Sequence, residues 1–224
     1  MGPTSLDHVA LWVTDRDTIA DVACRHLGMH VIDRTVRFTL VGADARRGKL
    51  TLFEADGPRQ RGELERIGLR VSDLDRALAA LPPGSGAQLD LGEGLRVRLV
   101  EAPTDVDYDL DHVALRTPDP RTAARGWQAL GFSPAAGLGG IERVESGGAY
   151  LELHHGDPGE SDRPLLNHVG VLVDSADEWR AEAERAGVEV ADVVDAANTY
   201  AVFVWGPGRV KLEYVEHKPS FSLT

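Results

Sequence analysis

One six-residue phrase constrains this chain more than anything else in it. LDHVAL occupies residues 6–11 and returns unchanged at residues 110–115. A looser copy, LNHVGV, spans residues 166–171. A fourth, LERIGL, spans residues 64–69 and carries Arg66 where the others carry histidine. Repeats at regular spacing mean that one supersecondary unit is used several times, and that the fold must be read in those units.

Each copy reads as a strand, because it is short, rich in Val and Leu and bounded by polar residues. Side chains alternate across a strand. His8, Ala10 and Trp12 therefore share a face opposite Val9, Leu11 and Val13. His112, Ala114 and Arg116 do the same opposite Val113 and Leu115. The apolar face packs inward, and a recurrent histidine aimed the other way predicts a lined cavity.

The rest of each repeat follows one order: strand, helix, strand, strand, strand. In the first unit the strand at 6–13 leads to a helix capped by Asp15 and stopped by Gly28, then strands at 29–34, 36–41 and 49–54. The second is compressed: a strand at 64–71, a helix over 73–81, a break at Pro82-Pro83-Gly84, and strands at 87–91 and 95–101. The third has a strand at 110–117, a helix from Asp119 or Pro120 to Leu130, and strands at 132–135, 141–144 and 149–154. The fourth has a strand at 165–173, a helix over 175–186, and strands at 188–194, 199–204 and 210–215. Residues 218–224 read as a tail. Four such units give an α+β protein of βαβββ modules. One unit cannot cover both faces of its strands, so units should pair and enclose a cavity. The expected domains are 1–104 and 105–224, two modules each, joined near residues 103–108.

Composition narrows the partners. A net charge of −12 without a basic run disfavours nucleic acid and anionic membrane. No apolar run approaches a membrane span, and the first residues lack the pattern of a signal peptide. The single cysteine, Cys24, forms no internal disulfide and reads as a small helix-core residue. A reducing cytoplasm and a small-molecule substrate are the expectations.

The last strand of each unit carries a glutamate: Glu54, Glu101, Glu152 and Glu213. The second half thus offers His112, Glu152, His168 and Glu213. Two imidazoles with one carboxylate and open positions suit non-haem Fe(II). The first half offers only His8 and Glu54. Arg66 would repel a cation, so that site is expected to be degenerate.

With His on first strands and Glu on last strands of paired βαβββ units, the chain resembles the vicinal oxygen chelate superfamily. That superfamily comprises glyoxalases, bleomycin resistance proteins and type I extradiol dioxygenases, among others. The resemblance runs over residues 5–217 and implies two glyoxalase-like domains, the N-terminal one with a degenerate site. Four modules with one metal site resemble the extradiol dioxygenases, which implies His112, His168 and Glu213 as ligands and Fe(II) as metal. In those enzymes a histidine lies fourteen residues before the second ligand; here that is His154, the expected acid/base. Two family residues are missing. Phe203 stands where the family has Tyr, with Tyr200 nearby as a substitute, and a further histidine falls on Val194 or Asp195. With Glu152 as a fourth ligand the set instead resembles glyoxalase I, an isomerase or lyase chemistry using Ni, Co or Zn; Mn is also compatible. A metal-free binding protein like those for bleomycin is the third alternative. Phe203, Trp205 and Lys211 are the expected substrate contacts, with Lys211 facing either a substrate carboxylate or Glu213. Both intrachain and homodimeric closure of the cavity fit such a resemblance.

Overall fold

Each module begins as the sequence predicts. The computed structural model describes residues 2–159 and 163–222. The first module is β1 (Ser5–Val13), α1 (Arg16–His26), β2 (His30–Arg34), β3 (Phe38–Gly42) and β4 (Lys49–Glu54). The second is β5 (Leu64–Val71), α2 (Leu74–Ala79), β6 (Gln88–Asp90) and β7 (Arg96–Glu101). The third is β8 (Asp109–Thr117), α3 (Pro120–Ala129), β9 (Ser133–Leu138), β10 (Ile141–Ser146) and β11 (Ala149–His155). The fourth is β12 (Leu166–Leu172), α4 (Ala176–Arg185), β13 (Val190–Asp195), β14 (Thr199–Trp205) and β15 (Lys211–His217). Every helix starts on a capping side chain. Asp15, Asp73, Asp119 and Ser175 each accept from the backbone N–H three residues on, which satisfies one of the first-turn donors that a helix leaves unpaired.

The modules pair in a nested order. One sheet has eight strands, β13-β14-β15-β12-β1-β4-β3-β2, and joins the fourth module to the first. The other has seven, β6-β7-β5-β8-β11-β10-β9, and joins the second to the third. The sequential halves 1–104 and 105–224 are therefore not the sheet-forming units; each half gives one module to each sheet. Within both sheets the module-initial strands lie antiparallel at the centre, β1 on β12 and β5 on β8. That pairing satisfies the backbone groups along one edge of each of these strands, and the last strand of the same module satisfies the other edge.

The apolar faces meet in one hydrophobic cluster. It includes Val9 and Leu11 of β1, Ile67 and Leu69 of β5, Val113 of β8 and Val169 of β12. Ile19, Ala77, Trp127 and Ala183 enter it from the four helices. Tyr214 on β15 ties the two sheets together, donating its hydroxyl proton to the carbonyl of Leu130 at 3.0 Å. Trp179 stacks on the Tyr214 ring at 4.8 Å. Cys24 is half-buried on α1, and burial pushes its thiol up, away from the nucleophilic thiolate.

Nested pairing has a direct test. Fragments 1–104 and 105–224, expressed separately, should each lack cooperative unfolding. Mixed at equal concentration they should regain it, read by circular dichroism. Two independently folding halves would contradict the topology.

Candidate metal centre and cavity

Central pairing of β1 with β12 sets the geometry. His8 lies opposite Gly170, and Ala10 opposite His168. A Cβ on Gly170 would stand 2.3 Å from the His8 ring, so only glycine admits that imidazole. On the other side of β12, Gly170 is level with Glu213 of β15. Three side chains from two modules thus converge. His8 Nε2 lies 2.9 Å from His168 Nε2 and 3.0 Å from Glu213 Oε2, and His168 Nε2 lies 2.7 Å from Glu213 Oε2. All three residues are buried.

Neighbouring side chains orient the two rings. His8 Nδ1–H donates to Asp7 at 2.8 Å, and His168 Nδ1–H to Asn167 Oδ1 at 3.1 Å. Both Nε2 atoms therefore face the centre, the arrangement by which outer hydrogen bonds present imidazoles to a metal. Asp7 is itself held by Lys49 Nζ at 2.8 Å, and Lys49 also donates to the carbonyl of Ala45. Burial pushes the Asp7 carboxyl up, but Lys49, His217 and His8 outweigh it and hold it well below the carboxylate range.

The same balance governs the centre. Burial opposes charge on His8, yet Glu213 and Asp7 prevail and raise it to about 9. Burial likewise opposes the Glu213 carboxylate, and His168 and His8 hold it well below its usual range. Burial lowers His168 despite the pull of Glu213, so it stays neutral. Near neutral pH the triad thus keeps a proton on His8, and a divalent cation would take that proton's place. The donor set fits such an ion. Ligand atoms about 2.1 Å from a metal and 90° apart stand about 3.0 Å from each other, against about 3.4 Å for a tetrahedron. The observed 2.7–3.0 Å spacings match the first. Two His and one carboxylate on one face is the set that suits non-haem Fe(II).

The fourth module position decides the ligand count. His168 pairs with Lys211 and Gly170 with Glu213; the matching pairs on the first module are His8 with Lys49 and Ala10 with Thr51. Thr51, not Glu54, is therefore the counterpart of Glu213. Glu54 lies three residues further on, at the end of β4 and the cavity rim, with its side chain 63% exposed. On the second module the counterpart is Arg98, level with Gly68, and not Glu101.

The remaining expected ligands belong to the other sheet. His112 lies opposite Gly68, and Glu152 is level with Ala114. Arg66 Nη2 reaches Glu152 at 2.6 Å and Arg143 also pairs with it; His154 Nε2 is 3.3 Å away and His112 Nε2 3.5 Å. Burial raises Glu152, but Arg143 and His112 lower it more. Here guanidinium groups supply the positive charge. The expected set of His112, His168, Glu213 and Glu152 is thus split: His168 and Glu213 join His8, while His112, Glu152 and His154 surround Arg66. The arginine at the histidine position, Arg66, lies between modules two and three, where it pairs with Glu152 and not with His8 or Glu54. Tyr200 turns outward and donates to Asp177 at 2.8 Å.

A cavity of about 900 Å³ opens over the triad. All eight strands of the larger sheet line it, so that sheet curves around it. Trp12, Phe38, Phe53, Phe203 and Phe221 form aromatic walls. Phe203 stands edge-on to His168 at 5.1 Å. Lys211 also lines the cavity, whereas Trp205 does not; Trp205 packs beneath Arg209 at 4.1 Å. Sequence reasoning assigned His8 to a degenerate first-half site with Glu54, whereas it lies with His168 and Glu213, and it gave no role to Asp7, Lys49 or His217. His217 lines the cavity, lies 3.4 Å from Asp7 and stacks on Phe221 at 3.7 Å.

A curved sheet of paired βαβββ modules with a His-His-Glu centre defines the class of protein. The model of the Glyoxalase/Bleomycin resistance protein/Dioxygenase superfamily matches residues 5–83 and 109–215, and the chain belongs to that family. Members are glyoxalase- or dioxygenase-like proteins that commonly bind a divalent metal. A "putative dioxygenase" from Bacillus subtilis subsp. subtilis str. 168 superposes with a TM-score of 0.80 at 16% identity, covering 97% of this chain and 86% of that one. Glyoxalase I from Zea mays gives 0.70 at 14% identity, covering 95% and 92%. The cppA protein from Streptococcus pneumoniae TIGR4 gives 0.61 at 15%, covering 96% and 98%. At these identities the likeness concerns the fold. No curated protein sequence matches the chain. Among the described residues no helix is long and apolar enough to cross a membrane.

The split of the histidines predicts a split phenotype. His8→Ala or His168→Ala should abolish binding of one divalent ion per chain, whereas His112→Ala should retain it. Gly170→Ala should impair metal binding and Gly68→Ala should not, although overpacking makes each cost about 1–3 kcal/mol of stability. Metal analysis and urea unfolding separate the two effects. Because His8 keeps its proton up to about pH 9, metal must displace it. Apparent affinity should rise about tenfold per pH unit from 7 to 9 and then level off, with about one proton released per ion at pH 7. Calorimetry in buffers of different ionisation enthalpy reads that proton.

Proposed function

We propose that the protein is an Fe(II)-dependent, extradiol-dioxygenase-like oxygenase acting on a small aromatic substrate with two adjacent oxygens. One observation carries this reading: the position that would complete a four-ligand set is Thr51, so among the described residues the centre offers two histidines and a single carboxylate. Glyoxalase-type proton abstraction needs a carboxylate base at the metal, and Glu152 is engaged by Arg66 and Arg143 in the other sheet.

His8, His168 and Glu213 would hold the ion, which when bound would chelate the adjacent oxygens and supply the redox chemistry of dioxygen insertion. The protein contributes orientation and proton transfer. Phe203 and Phe53, both beside His168, present ring edges and faces that fix an aromatic substrate. Asp7 and Lys49 keep the His8 ring in its ligating orientation. His217 takes the proton-transfer role expected of His154, because it is the cavity imidazole outside the triad, and imidazole is the side chain suited to moving protons near neutral pH.

Purification and iron loading under anaerobic conditions, followed by a catechol screen in the presence of dioxygen, tests this. We expect one dioxygen consumed per ring opened, abolished in His8→Ala, and slowed about 10²-fold or more in His217→Gln with iron content preserved. Turnover of a hemithioacetal by the nickel- or zinc-loaded protein, with no oxygen uptake by the iron form, would overturn it.

A further inference from the structure

The two modules around the metal centre are related position by position, and one pair of matched residues is not balanced. Lys49 is level with His8, and Lys211 is level with His168. On the first module the residue before the histidine is Asp7, and its carboxylate takes the Lys49 ammonium at 2.8 Å. On the fourth module that residue is Asn167, a neutral amide that accepts from His168. Lys211 is left without a carboxylate. Its ammonium lies over the rings of Trp205 at 5.4 Å and Phe203 at 6.0 Å, and its charge acts on the neighbouring His168.

Lys211 is half-buried and lines the same cavity as the triad. Other carboxylates of that cavity do not serve it. Glu54 pairs with Arg16 and Asp56 with Arg59. Asp33 and Asp192 lie on the edge strands β2 and β13 and form no ion pair with it. Glu213 faces the two histidines. In a chain of net charge −12, a half-buried, cavity-facing ammonium with no carboxylate within ion-pair distance among the described residues is available to an anionic group of a ligand, which would pair with it as that ligand displaces water. Cation–π contact with Trp205 and Phe203 offsets part of the cost of its burial and holds the ammonium in place.

We infer that the substrate is an aromatic acid whose carboxylate binds Lys211 while its ring lies against Phe203 and its other end reaches the metal centre. The carboxylate class and the role of Lys211 rest on the cavity; the placement of adjacent oxygens at the metal rests on the dioxygenase-like reading above. Lys211 determines which ring substrates are accepted, selecting acids over neutral analogues.

Two pairs of probes test the two readings separately. Phenylacetate and 2-phenylethanol, titrated into the metal-free full chain by calorimetry or ligand-observed NMR, test Lys211 without any chelation. We expect phenylacetate to bind more tightly than 2-phenylethanol, the preference to fall roughly 10- to 100-fold in Lys211→Met, the range for a charge-assisted hydrogen bond, and to return in Lys211→Arg. Absence of phenylacetate binding, or a preference that Lys211→Met does not alter in a folded protein, would overturn the inference. Titrations of 3,4-dihydroxyphenylacetate and 4-methylcatechol into the anaerobic Fe(II)-loaded protein then report on chelation. If phenylacetate needs Lys211 but neither catechol binds more tightly with iron than without it, the aromatic-acid site stands and the dioxygenase-like reading fails.

Discussion

The antiparallel contact between β1 and β12 is the constraint on which the functional architecture depends. It places His8 across from Gly170 and His168 across from Ala10, and the pairing of β12 with β15 then brings Glu213 level with Gly170, two residues along from His168. A slip by one residue would turn every cavity-facing side chain to the packed face. The glycine is part of the same constraint, because its hydrogen is all that fits beneath the His8 ring. The hydrogen bonds behind the rings, from His8 to Asp7 and from His168 to Asn167, follow from residues adjacent in sequence, so each module carries its ligand and the ligand's support together.

The two sheets solve one electrostatic problem in two ways. Both gather a buried glutamate and histidines at a strand junction, and both need a positive charge there. In the smaller sheet Arg66 and Arg143 supply it covalently, and Glu152 is stabilised as a carboxylate. In the larger one a single proton on His8 does so. A proton is exchangeable for a metal ion and a guanidinium is not. One arrangement is thus a fixed structural joint, and the other has the chemistry of a reactive centre. Aromatic walls and, among the described residues, an ammonium without a carboxylate partner line the cavity of the larger sheet.

Much of this was legible in the sequence. The repeats, their strand and helix order, the caps at Asp15, Asp119 and Ser175, and the outward aim of the histidines all follow from short-range periodicity. Pairing did not, because it is a long-range choice. Two copies carry Ala after the histidine position (Ala10, Ala114) and two carry Gly (Gly68, Gly170), and each sheet joins one of each. That rule admits adjacent and nested pairing alike. The distinguishing signal was charge. Counting register from the histidines gives Thr51 and Arg98 in place of Glu54 and Glu101. Adjacent pairing would then have left Arg66 and Arg98 with no carboxylate at their junction, whereas nesting gives Arg66 the Glu152 it needs. His217 escaped notice because it reads as tail, though β15 extends to include it; the last two residues of that tail lie outside the described ones.

The nested order also has a consequence in time. A chain made from its N-terminus onward completes its inner pair, residues 64–155, before β12 has been made. His8 must then wait for a partner 160 positions away, with β1 exposing an unpaired edge. Closing so long a loop comes late in folding. The His8–His168–Glu213 cluster consequently cannot form until β12 and β15 have been made, and a chain that stops short of them lacks the proposed metal centre. Assembly of that cluster doubles as a report that the strands of both sheets have been made.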